Sequence, residues 1–479
     1  MQQFYGREDI LSDLSSLWKK RVSSFVTCRG RRRVGKSTLI EKFAEKSGAR
    51  FIRIEGVRPR PKMTNADELA NFAEQLAAST GAEDSPPTNW LNAFLRLDGK
   101  IDDRERTVVL LDEVSWMAHY DLRFSSTLKI AWDAHLKKHR RLVFVVCGSV
   151  STWILENIIK DGSFYGRRSL DVVVPELPLA ECVKFWGKSA ARIDRREIVD
   201  VLSVTGGIPR YLEEIDPGAS ANENIRRLAF RPKGVLREDF DEMFSDVITS
   251  LPTLTEAVLR TLLNNACTVT EIAEALGMEK NGHISSVLLQ LEEAGMVSAD
   301  EGRNPSSGKQ MREKHYRLRD NYVRFYLKYI EPVKNTIDAG SFGFASLDEL
   351  NGWESVKGLQ FENMVVNNAP QLIRPLGIGR AHVLSCAPYR RTGKSAGGVQ
   401  VDLMIQTQRA TYVIEVKRKR EIGHEVIEEM ERRVAKIPRK EGRSIRTAIV
   451  YEGHLAPIVE AEGYFDAIVP FSRLIGINS

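Results

Sequence analysis

The sequence has few cysteines and no long run of apolar residues. Its five cysteines, at positions 28, 147, 182, 267 and 386, show no paired spacing and no C-x-x-C, so neither disulfides nor a zinc site is indicated. The longest apolar stretches, such as residues 142–147, are far shorter than the roughly 20 residues that cross a bilayer. The first nine residues carry charges where a signal peptide would have its apolar region. We therefore expect a cytoplasmic location and no membrane partner.

Low-complexity tracts and internal repeats are also lacking. With 42% hydrophobic and 28% charged residues, the composition excludes collagen-like, mucin-like and wholly disordered classes and is typical of a globular protein. A chain of 479 residues is too long for one hydrophobic core, and we predict three domains, over residues 1–215, 216–335 and 336–479. The net charge of +6 permits nucleic-acid binding without requiring it.

A glycine-rich loop connects a short apolar segment, residues 24–28, to an amphipathic helix. Residues 30–37 read Gly-Arg-Arg-Arg-Val-Gly-Lys-Ser and match G-x-x-x-x-G-K-[ST] in full. The glycines let successive N–H groups and the positive end of the helix face phosphate oxygens, while Lys36 adds a mobile charge and Ser37 a hydroxyl for Mg²⁺. A chance glycine loop is the alternative. The predicted ATP-binding residues are Gly30, Arg31, Arg32, Arg33, Val34, Gly35, Lys36, Ser37 and Thr38.

A second apolar strand, residues 108–111, ends in two carboxylates, Asp112 and Glu113. A buried parallel strand would present both at the edge of its sheet. Asp112 is then placed to hold Mg²⁺ through water, and Glu113 to polarise the water that attacks the γ-phosphate, which favours hydrolysis over binding alone. Ser149 directly follows a third strand, and we predict that its hydroxyl lies between these carboxylates and the γ-phosphate.

These motifs give residues 4–215 a resemblance to AAA+ and related STAND ATPases, in particular to a group of archaeal and bacterial ATPases of poorly defined function. The resemblance implies a parallel sheet with a helical lid. It implies that residues 4–8 help to enclose the adenine, with a solvated turn as the alternative. It also gives Pro209, in the segment Thr-Gly-Gly-Ile-Pro-Arg, a contact with the base. For that segment, the alternative is a simple turn that starts a helix.

In AAA+ proteins an arginine finger, aimed at a neighbour's γ-phosphate, precedes an apolar strand. Residues 165–168, Tyr-Gly-Arg-Arg, occupy that position here, so the resemblance makes Arg168 or Arg167 the candidate finger. A finger supplied in trans requires an oligomer, and a second copy of the chain is therefore a candidate partner. An unpaired surface arginine is the alternative.

The middle of the chain shows a helix–turn–helix pattern. The segment Thr-Val-Thr-Glu at 268–271 reads as a capping box, and a second helix has apolar residues at 284, 287, 288 and 291. Residues 296–318 follow as a predicted hairpin with a basic return strand. The segment resembles a winged helix, which would contact DNA phosphates or, alternatively, dock a protein. The aromatic stripe at 316–326 is predicted to pack in a core rather than to stack on bases.

The C-terminal part reads as helix, three strands, helix and strand. Asp402 lies on one strand, and Glu415 and Lys417 lie two residues apart on the next, in the pattern D-x(12)-E-x-K. The pattern resembles the PD-(D/E)xK nucleases, in which Asp402, Glu415 and, on the preceding helix, Glu362 would bind Mg²⁺ while Lys417 orients the water. Val401 departs from the proline of that motif. A salt-bridged strand surface is the alternative, and Gly-Lys-Ser at 393–395 is predicted to be a hairpin loop.

The sequence thus predicts an α/β protein in three parts. The first part is a P-loop NTPase of AAA+ type, which has a parallel sheet and a helical lid. The second part is a winged-helix domain, and the third is an α/β restriction-endonuclease-like domain. The predicted function is ATP hydrolysis coupled to Mg²⁺-dependent action on nucleic acid, with DNA preferred as the partner. The alternative is a signalling or regulatory ATPase that binds DNA or protein and has a catalytically silent nuclease-like domain.

Overall fold

The structure is a computed structural model that describes residues 4–81, 85–149, 151–247, 251–343, 346–379, 383–391 and 398–476. The chain forms two compact units, the smaller over residues 6–176 and the larger over residues 1–5 and 177–479. The predicted boundaries at 215 and 335 both lie inside the larger unit, and the division into three domains stays a prediction. The hairpin loop predicted at 393–395 lies outside the described residues.

In the described part of the smaller unit, five strands form one sheet in which every neighbouring pair is parallel. The order is β2-β3-β4-β1-β5. The strands are β1 (Ser24–Arg29), β2 (Arg50–Glu55), β3 (Thr107–Asp112), β4 (Leu142–Gly148) and β5 (Arg168–Val173). The α-helices are α1 (Glu8–Ser16), α2 (Lys36–Ser47), α3 (Asn65–Thr80), α4 (Trp90–Asp98), α5 (Val114–Met117), α6 (Phe124–Ala134) and α7 (Ser151–Ile154).

The central strands of this sheet are buried along their whole length. Every residue of β3 and of β4 is buried, as expected for apolar runs that are covered on both faces. The parallel arrangement brings the carboxyl ends of β1 and β3 to the same edge of the sheet. The predicted sequence of strand, glycine-rich loop and helix is therefore confirmed, and so is the predicted buried strand before the two carboxylates.

The larger unit begins with helices and a hairpin. The α-helices are α8 (Leu179–Cys182), α9 (Arg195–Thr205), α10 (Pro209–Leu212), α11 (Ala221–Ala229), α12 (Val235–Val247), α13 (Pro252–Thr261), α14 (Val269–Ala275), α15 (Gly282–Glu293), α16 (Asn321–Phe325) and α17 (Lys334–Asp338). Strands β6 (Val297–Asp300) and β7 (His315–Leu318) pair antiparallel. Helices α14 and α15 followed by a hairpin is the order that the sequence predicts for a winged helix, and that domain assignment stays a prediction.

Two local predictions for this segment are confirmed. The N–H of Thr268 donates to the Glu271 carboxylate at 2.8 Å, and the Thr268 hydroxyl accepts from the Glu271 N–H at 3.2 Å, which closes the predicted capping box. The aromatic stripe is core: Tyr322, Phe325 and Tyr326 are at most 1% exposed.

The C-terminal part contains a mixed sheet in the order β12-β11-β10-β9-β8. Strands β8, β9 and β10 pair antiparallel, whereas β10, β11 and β12 pair parallel. The strands are β8 (Val383–Arg391), β9 (Val399–Thr407), β10 (Ala410–Ile422), β11 (Ser444–Leu455) and β12 (Ala467–Pro470). The α-helices are α18 (Trp353–Asn367), α19 (Glu425–Ala435) and α20 (Pro457–Ala461).

Helix α9 contributes to two hydrophobic cores of the larger unit. Its Leu202 packs in a core with Phe361 of α18 and Leu403 of the mixed sheet. Its Val204 belongs to a second core, together with Leu288 of α15 and with residues of α16. Both cores cross the predicted boundary at residue 215, because each one contains residues from before that position and residues from well beyond it.

Candidate functional site

The glycine-rich loop lies between β1 and α2. Gly35 has φ +87° and directly precedes Lys36, the first residue of α2. Gly30 has φ +145°, and a Cβ atom there would lie 2.5 Å from the carbonyl oxygen of Val174. A larger residue at position 35 would be strained by the positive φ. A larger residue at position 30 would clash with the backbone of Val174. The backbone path itself therefore requires both glycines of the motif.

The loop surrounds the ammonium group of Lys36, which is buried. Its Nζ donates hydrogen bonds to the carbonyl oxygens of Gly30 and Arg31, at 3.1 and 3.2 Å. Arg7 supports the same loop, because its Nη2 donates to the carbonyl oxygen of Val34 at 3.2 Å. Sequence reasoning missed this role of Arg7, since the two residues are 27 positions apart and share no motif.

Asp112 and Glu113 lie where β3 ends. Glu113 has φ +50°, in the left-handed region that non-glycine residues rarely adopt. Its Oε2 accepts hydrogen bonds from the N–H and the hydroxyl of Ser149, at 3.0 and 2.9 Å. Asp112 is buried and accepts a hydrogen bond from Nη2 of Arg53 at 2.9 Å. Ser149 thus fixes the orientation of the Glu113 carboxylate next to the loop-bearing edge of the sheet.

A third carboxylate, Glu55 at the end of β2, pairs in register with Asp112. Burial raises the pKa of Glu55; Arg53 opposes that rise, and the negative charges of Asp112 and Glu113 add to it. Arg53 pairs with both Glu55 and Asp112, at 2.8 and 2.9 Å. A hydroxyl with a carboxylate is the donor set that Mg²⁺ takes in P-loop proteins. Ser37 and Asp112 therefore stay the predicted magnesium ligands of the ATP site.

The two candidate finger residues differ in their surroundings. Arg167 binds Asp133 with two groups, Nε at 2.9 Å and Nη2 at 2.9 Å, and also donates to the carbonyl oxygen of Ser163 at 2.6 Å. Arg168 begins β5 and donates to the carbonyl oxygen of Ile159 at 3.4 Å. Arg167 would have to leave its bidentate partner to reach a neighbouring subunit. The assignment of a finger to either residue stays a prediction, and Arg168 is the less tightly held of the two.

Pro209 is the first residue of α10, and it follows Gly206, which has φ +57°. A proline at the first helical position is favoured because its missing N–H needs no partner there. The segment thus has the helix-start geometry that the sequence offers as the alternative. A contact of Pro209 with the base stays a prediction.

The C-terminal candidates Asp402, Glu415 and Lys417 lie side by side on β9 and β10. Asp402 Oδ2 accepts a hydrogen bond at 2.9 Å from the N–H of Val416, which follows Glu415. Lys417 Nζ lies 3.0 Å from Glu415 Oε1 and 2.8 Å from Glu429 Oε2 of α19. The antiparallel pairing of the two strands therefore brings together three residues that the pattern predicts to act together.

Glu362, on α18, completes this group of acidic residues. Burial raises the pKa of Glu362 to about 8, and the nearby charge of Asp402 adds to the rise, while Arg317, Arg324 and Arg433 oppose it. Burial likewise raises the pKa of Asp402. The predicted fourth residue thus lies within electrostatic reach of Asp402.

Arg433 of α19 binds the carboxylate of Glu415 directly. Lys417 contacts the other oxygen, so each carboxylate oxygen of Glu415 is paired with a cation. The sequence patterns assign no role to Arg433 or Glu429. Their spacing of four places both on one face of α19, which is the signal that could have indicated a common neighbour. Arg433 is the residue whose position decides whether Glu415 is available to a metal.

The fit of these residues to Mg²⁺ is partial. Oxygen donors of this kind suit a hard cation, and the burial and repulsion at Asp402 and Glu362 would be relieved by one. Glu415 is available only once Arg433 releases it. Among the described residues, no group of three or more His, Cys, Asp or Glu side chains is arranged to hold a metal ion. Magnesium binding by Asp402, Glu415 and Glu362 stays a prediction.

The residues of the first site lie in the part of the chain that matches a known family model. Residues 4–215 match the model of an ATPase domain that occurs predominantly in Archaea. An uncharacterized protein of Methanocaldococcus jannaschii is 22% identical over 347 residues, which are 71% of this chain and 71% of that protein. In the described ranges, no helix is long and apolar enough to cross a membrane.

Two solved structures are similar over part of the chain. The Walker-type ATPase PABY2304 of Pyrococcus abyssi has 15% identity and a TM-score of 0.49, with 68% of this chain and 96% of that one covered. The ORC2 protein of Aeropyrum pernix, in ADPNP and ADP complexes, has 15% identity and a TM-score of 0.44, with 71% and 95% covered. The family match and the geometry of the glycine-rich loop together support an ATPase-type function for residues 4–215, of the P-loop class.

Proposed function

We propose that the chain couples ATP hydrolysis in residues 4–215 to Mg²⁺-dependent cleavage of nucleic acid, DNA in the first place, by the C-terminal sheet. One observation carries the nuclease half: Asp402, Glu415 and Lys417 lie side by side on adjacent antiparallel strands, with Glu362 in electrostatic reach. A salt-bridged strand surface explains the Glu415–Lys417 pair. It does not explain why a buried aspartate, Asp402, lies close enough to a half-buried glutamate, Glu362, to raise the pKa of that glutamate, because placing like charges together away from water is costly.

In the ATP site, each residue has a separate task. The ammonium group of Lys36 is held by the loop carbonyls, so its charge is positioned for the β- and γ-phosphates with little reorganisation. Magnesium, when bound through Ser37 and Asp112, would neutralise phosphate charge. Glu113, held by Ser149, accepts a hydrogen bond from the attacking water and orients it.

In the C-terminal site, Asp402 and Glu415 offer carboxylate oxygens on one side of the strand pair. Magnesium, when bound there, would lower the pKa of a water and stabilise charge on the scissile phosphate. Lys417 is fixed between Glu415 and Glu429 and is placed to orient that water. For this arrangement to act, the guanidinium of Arg433 has to leave Glu415.

The second candidate function is a regulatory ATPase that binds DNA or protein through a silent nuclease-like domain. The contact of Arg433 and Lys417 with Glu415 is the observation that favours it, because two fixed cations can take the place of a metal ion. The two functions differ in whether strand scission occurs, not in whether nucleic acid is bound.

A cleavage assay on the full chain separates them. Single-stranded, duplex and branched DNA are incubated with Mg²⁺ or Mn²⁺, with and without ATP, and with chelator. Asp402→Asn should abolish scission. Asp466→Asn should retain it, because Asp466 is an exposed, ion-paired carboxylate directly before β12. Lys36→Ala should abolish ATP hydrolysis in the same preparation. Absence of metal-dependent scission on every substrate would refute the nuclease and leave the regulatory function.

A further inference from the structure

A pocket opens between the hairpin β6–β7, helix α18 and strands β8 and β9. Three arginines line it, and the side chains that matter for its chemistry are Arg317, Arg324, Arg390, Asn265, Glu362 and Gln400. We call it the arginine pocket. All of these residues belong to the larger unit. Neither the P-loop chemistry nor the D-x(12)-E-x-K pattern makes use of its cations.

Arg324 is the least expected of these cations, because its side chain is 4% exposed. Its guanidinium donates to the carbonyl oxygens of Leu263 and Leu318, at 2.9 and 3.0 Å, and to the amide oxygen of Gln360 at 2.6 Å. All three acceptors are neutral. Within the residues that the structure describes, no carboxylate lies at salt-bridge distance from Arg324. Glu362 and Asp320 interact with Arg324 only electrostatically, without forming an ion pair. A buried guanidinium without an ion-pair partner is costly, and an anion in the pocket would lower that cost.

The other two arginines do have carboxylate partners. Arg317 lies 3.2 Å from Asp300 and also donates to Asn367 at 3.1 Å. Arg390 lies 3.2 Å from Glu271 and donates to the carbonyl oxygen of Ala266 at 2.6 Å. Their planar guanidinium groups are well suited to oxyanions with phosphate geometry. The pocket therefore gathers three such groups around one polar opening, with Arg324 at its most buried point.

The pocket adjoins the candidate nuclease centre. Glu362 lines it, and Glu362 interacts electrostatically with Asp402. Gln400 lines it as well, and also lines a second cavity together with Asp402, Arg432 and Arg433. A phosphate held in the arginine pocket would thus lie on one side of Asp402, with the basic face of α19 on the other side.

We propose that the arginine pocket binds a phosphate group of a nucleic-acid strand and thereby aligns the adjoining phosphodiester with Asp402. The alignment rests on the proposed nuclease function; the binding does not. The phosphate can be an internal diester or a terminal monoester, and both are recognised by the same guanidinium groups. Arg324 and Arg317 are the less exposed arginines of the pocket, at 4% and 11%, whereas the side chain of Arg390 is 31% exposed and Asn265 is exposed.

The test measures binding in the presence of chelator, so that no scission occurs. Fluorescent DNA oligonucleotides with and without a 5′-phosphate are titrated with the full chain, and inorganic phosphate is added as a competitor. Arg390→Gln should weaken affinity by about tenfold or more and lower the salt slope by roughly 0.7 to 0.9, the values for one lost phosphate contact. Arg446→Gln is the matched control, because it removes an equally charged, ion-paired arginine outside the pocket.

Asn265→Asp adds a negative charge at the opening without changing the shape of the side chain. It should also weaken binding about tenfold, whereas Asn351→Asp, at another exposed asparagine, should not. Both pocket variants change surface-accessible groups, and unchanged thermal unfolding confirms that they remain folded. A dependence of affinity on the 5′-phosphate identifies a strand end as the ligand, and equal affinity identifies an internal diester.

The outcomes separate this proposal from the nuclease. If the chain binds DNA through Arg390 and Asn265 but cleaves nothing, the pocket stands and the nuclease is refuted. If pocket variants and their controls bind alike, or if no oligonucleotide binds, the pocket is refuted, whether or not scission occurs.

Discussion

Arg418 is bound to Asp200: the Nη2 of this β10 residue lies 2.7 Å from Oδ1 of the aspartate on α9. Its Nε also lies 3.1 Å from Glu452 of β11. The position of Arg418 matters because it directly follows Lys417 on the strand that carries the nuclease-like pattern. Strand β10 and helix α9 are thus connected by a mostly buried ion pair.

Replacement of Arg418 by methionine should destabilise the protein by about 3 kcal/mol, because two partly buried carboxylates lose their partner. The free energy of unfolding is measured by urea titration. Arg446→Met removes a more exposed ion pair with Asp466 and should change the free energy of unfolding much less, because solvent screens that pair. Equal effects of the two substitutions would show that the Arg418 pair gives no special stability.

Glu113→Gln should retain ATP binding and slow hydrolysis by about 100-fold or more, because the amide keeps its shape but loses the charge that polarises water. Ser149→Ala should lower kcat about tenfold with little change in KM, since it releases the Glu113 carboxylate from its orienting hydroxyl. Steady-state hydrolysis and nucleotide titration check both. If Glu113→Gln loses binding as much as turnover, its role is structural.

Arg433→Gln should strengthen binding of Mn²⁺ to the C-terminal site, because it frees one oxygen of Glu415 from a competing cation. The metal titration is done with the Lys36→Ala variant, so that binding at the C-terminal site is measured without ATP hydrolysis at the other site. Arg432→Gln, a neighbour on the same helix, is the control. Weaker metal binding in Arg433→Gln would contradict the competition and assign Arg433 a supporting role.

If Arg168 or Arg167 is a finger in trans, each finger variant should be inactive alone and should recover partial ATPase activity when mixed with Lys36→Ala. The mixed assembly contains sites with an intact loop and an intact finger. The bidentate contact with Asp133 leads us to expect the larger effect at Arg168. The measurement is ATPase activity of mixtures whose hetero-oligomers are shown by mass; no recovery in such mixtures would argue against a finger.

Glu68 should make the smaller unit less stable as the pH rises. It is fully buried, and burial raises its pKa from 4.5 to about 7, although the Val57 N–H opposes the rise. The folded state binds the proton of Glu68 more tightly than the unfolded state does. The contribution of Glu68 to the free energy of unfolding is therefore fully present below pH 4.5 and is lost as the pH rises through about 7. The difference in unfolding free energy between wild type and Glu68→Gln should fall by about 3 kcal/mol over that window. The exposed Glu74→Gln should show no such trend.

The strand, glycine-rich loop and helix of the predicted ATP site could be recognised from the sequence, because the motif consists of residues that are close together in the chain. The spacing of Gly30 and Gly35 fixes a backbone path, and an apolar strand before Asp112 fixes the depth of that carboxylate. Contacts between distant segments gave no such signal. The pairing of Arg53 with Asp112 and that of Arg433 with Glu415 depend on strand and helix placement, which periodicity does not specify.

The domain boundaries depend on packing in a similar way. The apolar periodicity of α9 predicts that one face is buried, but it does not tell which elements cover it. Leu202 and Val204 lie two residues apart and enter different cores. No shift in composition near residue 215 marks this sharing. For the same reason, the nuclease-like pattern at Asp402 was recognisable from strand order, whereas the packing of its sheet against α9 was not.

The dual packing of α9 has a consequence for the history of such chains. A recombination event that joined this C-terminal sheet to a foreign ATPase at residue 215 would remove Leu202 and expose the apolar side chains that pack with it, including Phe361 and Leu403. We therefore expect that the sheet could be joined to another ATPase without loss of packing only if helix α9 were transferred with it. Helix α9 and the C-terminal sheet form one structural unit in this sense, although they lie more than 100 residues apart in the sequence.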